Sequence, residues 1–453
     1  MAATAFDQLR SLFPENTNDK VVTPIDNDSD KYQAAVSSPW SQTCWIPAAG
    51  YIYLSSVQEL IEALAIVRKT GTKFAIRTTG HNPNAGFSSA DETAVLVTTN
   101  EGEVYAWLEE RGLSAIGGRD PQVGLGGFLL GGGMGALPNL YGLGADGVRN
   151  FEVLLADGRL VNANANENSD LYRALKGGGS NFGIVTRFDL ATHPLINVQY
   201  TINLYSPEDH VAINRATVAV QQAMEEDPKI GLFTTFNNGF VAVGLLYGDH
   251  PAEAPKAFEP FQTLKSLVAT ALPFTNGTLL SLAQAMGHPQ IAQKRRICKI
   301  STQVSHDLYE EVFKAWGEVS KTLPTGAVLH YTIQPFGKAG VRVGKDRGEN
   351  IMGHEDVPQC WWVFTCEWPK DGSDDAAAQN AIETMSETVQ SLAKARGILL
   401  DFKCMSFATA TQEVLGSYGA ENVRRIQEVA AKYDPEGVFQ KLQNGGFLLR
   451  DNI

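Results

Sequence analysis

A histidine at the tip of a small-residue turn is the most informative side chain of this sequence. It stands in Arg77-Thr78-Thr79-Gly80-His81-Asn82, directly after the apolar run Phe74-Ala75-Ile76. A glycine-dense tract follows: Gly124-Leu-Gly126-Gly127-Phe-Leu-Leu-Gly131-Gly132-Gly133-Met134-Gly135. Glycine has no Cβ and tolerates φ > 0, so such backbone can lie directly against a ligand. Exposed N–H groups in such turns cradle a pyrophosphate. The two segments together point to a large, planar, anionic ligand. Taken alone, His81 reads as an ordinary turn residue, and it is the glycine tract that gives it a partner.

The elements that position the turn follow from hydrophobic spacing. Ser55-Ser56 caps a helix in which Val57, Leu60, Ile61, Leu64 and Val67 recur at helical intervals. Residues 74–77 and 94–98 read as strands, and 104–111 as a helix closed by Gly112. Residues 150–155 form a strand that turns at Asp157-Gly158 into Leu160-Val161, a hairpin signal. A short helix over 169–176 and a strand over 183–190 complete this half. Beyond residue 196, strand-like runs (198–204, 231–236, 241–247, 328–333, 361–366) alternate with amphipathic helices (211–224, 307–323, 375–396). The tail carries a helix over 422–432. The pattern is α+β, a sheet covered by helices.

Bulk properties exclude several function classes. The 453 residues are 43% hydrophobic, enough for a sizeable core in two or three domains, and the formal net charge is −13. Nucleic acid and anionic membrane surfaces both need a basic footprint, so neither is expected as a partner. An anionic cofactor remains possible, because backbone amides can hold it. Five cysteines without a Cys-x-x-Cys pair argue against a zinc site or a disulfide framework and for reduced thiols. No metal site is expected. The N-terminal residues show no signal-peptide pattern and no apolar run long enough to span a membrane, which predicts a cytoplasmic or other intracellular protein. A Rossmann fingerprint fails, because Leu129 stands where the third glycine belongs and a turn precedes Gly124 instead of a strand. Walker, zincin and nucleophile-elbow motifs are missing too.

What remains is an ordered series. It runs from the 77–82 turn through Gly117-Gly118-Arg119, the 124–135 tract, Tyr141-Gly142-Leu-Gly-Ala-Asp146-Gly-Val148 and Leu154-Leu-Ala-Asp157-Gly158. Lys176-Gly-Gly-Gly-Ser-Asn-Phe-Gly183-Ile184-Val-Thr186 and Tyr433-Asp434-Pro435 close it. As a set it resembles the FAD-linked oxidases of the p-cresol methylhydroxylase/vanillyl-alcohol oxidase superfamily, in the berberine-bridge-enzyme-like branch of fungal secondary metabolism. The resemblance covers most of residues 40–195 and 400–445 and is loose between them. It implies an FAD-binding domain of two α/β subdomains over 39–195, after an N-terminal extension over 1–38. A substrate domain with an antiparallel sheet covered by helices would span 196–405, and a C-terminal segment, 406–453, would return to the FAD domain.

Carried over residue by residue, the resemblance assigns FAD contacts to Arg77, Thr78, Thr79, Gly80, His81, Asn82, Gly86, Gly118, Asp120, Val123, Gly124, Gly126, Gly127, Gly131, Gly133, Met134, Gly142, Asp146, Gly183 and Ile184. It implies a bond from a His81 ring nitrogen to the flavin 8α-methyl. Many relatives add a cysteine where this chain has Asp120, so a single attachment through His81 is expected. Val123 matches the position that gates oxygen access in the family, or simply packs beside glycine. Only Thr98-Thr-Asn-Glu-Gly-Glu103 stands where relatives carry a further strand and a glycine-rich turn.

The reaction is less defined. Plant relatives hold a carboxylate base on the strand matching 361–366, where the facing residue here is Val363. Glu367 adjoins it with undetermined parity. The family's Asn-Tyr pair appears as Ser406-Phe407. Gln334, Trp362, Val363, Ser406 and Phe407 are candidates to contact substrate. Tyr331 is a candidate base if neighbours lower its pKa, or else a strand residue packing one face. The aromatic residues line either a flat apolar pocket or the core. The resemblance implies an oxidase acting on a small apolar natural-product intermediate, with hydride passing to flavin N5 and O₂ taking the electrons. The alternative is a pericyclase that shapes a polyene for cyclisation without net oxidation. A flavin-free remnant of the fold is a third reading.

Overall fold

The computed structural model describes residues 2–25, 29–97, 104–287, 291–369 and 374–453. The connection at 98–103 therefore lies outside the described residues. Three sheets surround one cleft. A four-stranded sheet has the order Val21–Val22, Gly50–Tyr53, Ala94–Val97, Phe74–Arg77, and its last three strands are parallel. Helix Val57–Thr70 connects two of them. Its N-cap Ser56 accepts from the Glu59 N–H, and Gly71 in the left-handed region ends it. Leu60, Leu64 and Val67 bury one face against Phe74, Ile52 and Leu96. A three-stranded antiparallel sheet, Leu160–Asn164, Val148–Leu154, Ile184–Leu190, forms the second wall.

The third sheet has eight antiparallel strands, in the order Leu267–Thr278, Asn197–Tyr205, Phe240–Tyr247, Ile230–Asn237, Val328–Phe336, Gln359–Trp368, Lys294–Gln303, Leu399–Leu400. Helices His210–Glu226, His306–Lys321 and Asp375–Ala395 cover one face and bury Ile213, Val220, Leu308, Val312, Ile382 and Met385 against it. Strand side chains alternate between faces. Leu329, Tyr331 and Ile333 join Trp362 and Phe364 in that helix-covered core. The other face turns toward the glycine-rich half.

Two strands of this sheet escape the hydrophobic pattern. Lys294–Gln303 begins Lys-Arg-Arg and carries Lys299 fully buried, so its charges mask a central strand. Leu267–Thr278 is a largely exposed edge strand containing Pro273 and Gly277, a composition that reads as loop. At the C-terminus the chain returns to the first sheet. Gln443 bridges Phe74, the Asn444 N–H donates to Phe74 O at 2.8 Å, and Val438 and Phe439 enter the Phe74 core. Among the described residues no helix is long and apolar enough to cross a membrane, and all five cysteines are buried and unpaired with one another.

Candidate functional site

The turn carrying His81 leaves the edge strand Phe74–Arg77 and is held at both ends. The buried Arg77 guanidinium donates to Ser88 O at 3.2 Å, Ala35 O at 2.6 Å and Ser38 Oγ at 3.0 Å. It anchors the turn from behind, and burial lowers its pKa. Gly80 has φ +70°, and a Cβ there would lie 3.2 Å from Pro39 Cα. That close approach places Trp40 beside His81. The Trp40 N–H donates to Gly80 O at 3.1 Å, and the indole stacks on the imidazole with centroids 4.5 Å apart and planes 13° from parallel.

The glycine tract packs directly against this turn. A Cβ on Gly124 would sit 2.7 Å from Thr79 Oγ1 and 2.9 Å from Thr78 Oγ1. The short helix Leu125–Leu130 starts there, preceded by a turn, as expected from the failed Rossmann pattern. One cavity of about 960 Å³ is lined by both segments. Of the sequence-assigned FAD contacts, Arg77 to Asn82, Gly118, Asp120, Val123, Gly124, Gly126, Gly127, Gly131, Met134, Gly183 and Ile184 line it. Gly86, Gly133, Gly142 and Asp146 do not. Gly86 O accepts from Asn444 Nδ2 at 2.8 Å, joining the loop to the C-terminal segment. Gly133 is turned against the Phe128 ring and Gly142 against Asp146. The Asp146 carboxylate is itself buried, accepting from the Leu143 N–H at 2.9 Å and Asn350 Nδ2 at 3.0 Å. These four residues shape the fold behind the cavity wall.

The open face of the large sheet forms the opposite wall. Phe233, Thr235, Ile297, Thr332 and Gln334 line it, joined by Met286, Ser406 and Phe407. Of the candidate substrate and base residues, Gln334, Ser406 and Phe407 line the cavity, whereas Tyr331 and Trp362 do not. Tyr331 lies on the helix-covered side, stacked on Phe236 at 4.8 Å, with no hydrogen-bond partner for its hydroxyl. Burial pushes its pKa well above the usual tyrosine value, the opposite of what a base needs. Trp362 donates its indole N–H to Thr302 Oγ1 at 3.0 Å on the same side. The physical reason is the two-residue strand period, which sends Thr332 and Gln334 one way and Tyr331 the other. Val363, opposite Thr332 in register, is buried and does not line the cavity. Glu367 shares the parity of Val363, but its carboxylate accepts from Arg295 Nε at 2.6 Å and is absent from the wall.

Arg119, Trp40, Phe233, Thr235 and Thr332 are wall residues that the sequence reading did not single out as site residues. A signal existed for Thr332: in His330-Tyr-Thr-Ile-Gln334 the polar residues alternate with the apolar ones. Phe233 and Trp40 carried no such signal, because their place depends on tertiary contacts.

The cavity's titratable side chains among the described residues are Arg77, His81, Arg119, Asp120 and Arg187, a balance that suits an anionic ligand. Three residues that line the cavity carry a buried polar atom without a partner: Trp40 Nε1, Ser88 Oγ and Gln443 Oε1. The volume stands at the upper end of the usual ligand range of about 300–1,000 Å³. Glycine surfaces, unpartnered donors and acceptors, and a positive balance fit FAD. No cluster of metal-ligating side chains occurs among the described residues.

Residues 97–164 match the FAD binding domain family. An FAD-dependent monooxygenase of Arthrobotrys oligospora is 34% identical over 438 residues, covering 92% of this chain and 85% of the relative. A berberine-bridge-like protein of Physcomitrella patens superposes with a TM-score of 0.79 at 16% identity, over 97% and 98% of the two chains. Glucooligosaccharide oxidase of Acremonium strictum, described with a 6-S-cysteinyl, 8α-N1-histidyl FAD, gives 0.74 at 17% identity, over 96% and 97%. The solved structures share the fold, and the monooxygenase relative favours oxidation over the cyclase reading.

Proposed function

From the premise that the chain belongs to the berberine-bridge-like FAD-linked oxidoreductases of the p-cresol methylhydroxylase/vanillyl-alcohol oxidase superfamily, we propose that it oxidises a small, mostly apolar natural-product intermediate with O₂ as electron acceptor. The chemistry FAD supplies when bound is hydride acceptance at N5 and two-electron delivery to O₂, giving H₂O₂ in an oxidase or transferring one oxygen atom in a monooxygenase. The observation that carries the reading is the single cavity joining the His81 turn and glycine tract to the sheet wall.

The chain's own contribution is placement. The 78–82 turn and Gly124 to Gly127 would hold the cofactor's phosphates and ring. His81, held against Trp40, would attach the flavin by its 8α carbon, with Asp120 in place of a second anchor. Phe233, Ile297, Met286 and Phe407 exclude water and accept a flat substrate. Thr235 and Thr332, hydrogen-bonded to each other at 2.9 Å, and Gln334 supply the polar points that orient it.

An absorbance spectrum of purified protein, before and after acid precipitation, tests cofactor and attachment together. Yellow protein whose colour stays in the pellet supports both. Protein that remains colourless after incubation with FAD overturns the reading. With a substrate in hand, heavy-oxygen incorporation against H₂O₂ yield separates monooxygenase from oxidase chemistry.

A further inference from the structure

The sheet wall of the cavity continues beyond the cavity itself. Phe233 and Thr235 line it on strand Ile230–Asn237, and the register of the large sheet carries their two rows outward to its edge. Thr235 stands opposite Ala242, Ala242 opposite Leu204, and Leu204 opposite Ala269. Phe233 stands opposite Gly244, Gly244 opposite Ile202, and Ile202 opposite Leu272. Cross-strand partners share a face, so both rows lie on the side away from the covering helices. No ionisable side chain stands in either row. Ala242, Leu204, Ile202 and Leu272 are partly exposed and Ala269 is exposed. Leu204 and Ile202 pack into none of the apolar cores among the described residues. A single exposed leucine needs no explanation; here the exposed apolar positions form one strip that starts at the cavity.

The strip has the dimensions of one hydrocarbon chain. Three inter-strand steps make it about 14 Å long, the reach of roughly ten to twelve chain carbons, and two rows make it about 7 Å wide. Helix Leu279–Met286 closes one side, because Leu279 and Leu282 cover the next row, Leu246 and Tyr200. The hairpin turn between Asn237 and Phe240 ends the other side. Its area, about 100 Å², is far below the 800 Å² or so per partner that a protein interface needs. At the inner end the Phe233 ring lies over Gly244, where a Cβ would sit 2.1 Å from it. Arg119, whose Nη2 donates to Gln334 Oε1, lies 5.3 Å from the centroid of the same ring. Phe233 thus forms a fixed threshold between cavity and strip. We propose that the substrate carries a linear hydrocarbon chain that leaves the cavity over Phe233 and lies along these two rows toward the sheet edge. This assignment rests on the flavin-oxidoreductase reading and narrows its substrate class from small and apolar to a reacting head with an extended apolar tail.

The test is calorimetric titration of the purified holoenzyme with 4-methyl-, 4-butyl- and 4-octylbenzyl alcohol. Full burial of a methylene is worth about fourfold in affinity, and a chain on an open face buries one side, so about twofold per methylene is expected. The octyl compound should therefore bind at least thirtyfold more tightly than the methyl compound. Ala242→Trp raises a ring in the row next to the cavity and should reduce that ratio below fivefold. Leu204→Asn, further out, should reduce it at least threefold. The ratio is the readout, so a general loss of affinity does not imitate the effect. Equal affinities across the wild-type series, no binding of any of the three, or an unchanged ratio in folded Ala242→Trp and Leu204→Asn proteins overturns the proposal. The wild-type series stands even where a variant does not fold. The flavin spectrum of the same samples separates the two ideas. A yellow protein with equal affinities removes the strip and leaves the function, while a colourless protein with a chain-length preference that Ala242→Trp abolishes does the reverse.

Discussion

The imidazole of His81 and the indole of Trp40 lie face to face, 4.5 Å apart and 13° from parallel, on the wall of the cavity. On the Trp40 ring the Arg295 guanidinium also lies at 4.3 Å, and Arg295 Nη1 donates to Trp40 O at 2.8 Å. The indole therefore couples the histidine turn to the large sheet. Attachment of a flavin through His81 requires the ring to be held at one angle. His81→Ala is expected to release all flavin on acid precipitation. Trp40→Ala should lower the covalent fraction severalfold while Trp40→Phe restores most of it, because a flat ring is what the contact needs. Pellet fluorescence measures it, and full attachment in Trp40→Ala would sink the positioning role.

Asp120 offers a second test of the same geometry. The residue lines the cavity between Arg119 and Val123, at the position where the family resemblance places a cysteine. The Acremonium relative's flavin is described with a cysteinyl bond. The double variant His81→Ala/Asp120→Cys is expected to keep a covalent flavin that His81→Ala alone lacks, visible as colour in the acid pellet. Complete release from the double variant would show that residue 120 does not reach the ring.

Tyr331 yields a prediction of indifference. Its hydroxyl is buried without a partner in an apolar, aromatic setting. Removing it should leave kcat/KM within about twofold and raise stability by up to about 1 kcal/mol, since an unsatisfied buried polar group is a cost. Chemical denaturation and steady-state kinetics of Tyr331→Phe decide it. A hundredfold loss of kcat would restore the tyrosine as a base.

The contrast between Tyr331 and Thr332 shows what the sequence made legible. The glycine series and the His81 turn are local chemistry, each motif carrying its own backbone geometry, so most of the cofactor-side wall could be read from the chain. The helix-covered sheet was visible from its periodicity. The substrate-side wall depends on which face of each strand is covered, and the strand Val328–Phe336 alone cannot say that. Its polar alternation, Thr332 and Gln334 against Tyr331 and Ile333, was the available clue. Lys294–Gln303 was hidden by its charges. Arg119 was read as part of a turn motif because nothing local indicates that its side chain crosses to Gln334.

His354 sets an acid limit on stability. Its ring is buried among Phe402 at 4.1 Å, Phe336 at 5.3 Å and Trp361 at 6.0 Å. Burial first, and then the Lys299 charge, lower its pKa to about 3. In the unfolded chain the ring protonates near its ordinary value of about 6.5. Between these values the unfolded state holds the extra proton, so stability falls as pH drops from about 6.5 toward 3. The contribution is of order 5 kcal/mol across that window. His354→Phe should lose less stability than wild type over the same range, with the two curves parallel above pH 7. Parallel curves throughout would mean that the ring does not remain neutral in the fold.

Gly124 is where the two cofactor-facing segments depend on each other most directly. A Cβ there would meet the Thr78 and Thr79 hydroxyls inside 3 Å, and both threonines belong to the turn that carries His81. The backbone angle is ordinary for any residue, φ −72° and ψ 131°, so Gly124→Ala adds bulk without backbone strain. The added methyl must push the 78–82 turn, and with it His81, out of place. The expected result is a folded protein with at least tenfold weaker or incomplete flavin loading and a reduced covalent fraction. The double variant Thr79→Ser/Gly124→Ala keeps the hydroxyl and removes only its methyl, so it should recover little. Thr79→Ala/Gly124→Ala removes the oxygen at 2.7 Å and should recover more. Flavin content per protein and the melting temperature of the apoprotein together decide between a displaced turn and a general loss of fold. Full flavin loading in Gly124→Ala would show that the tract and the turn move apart without consequence.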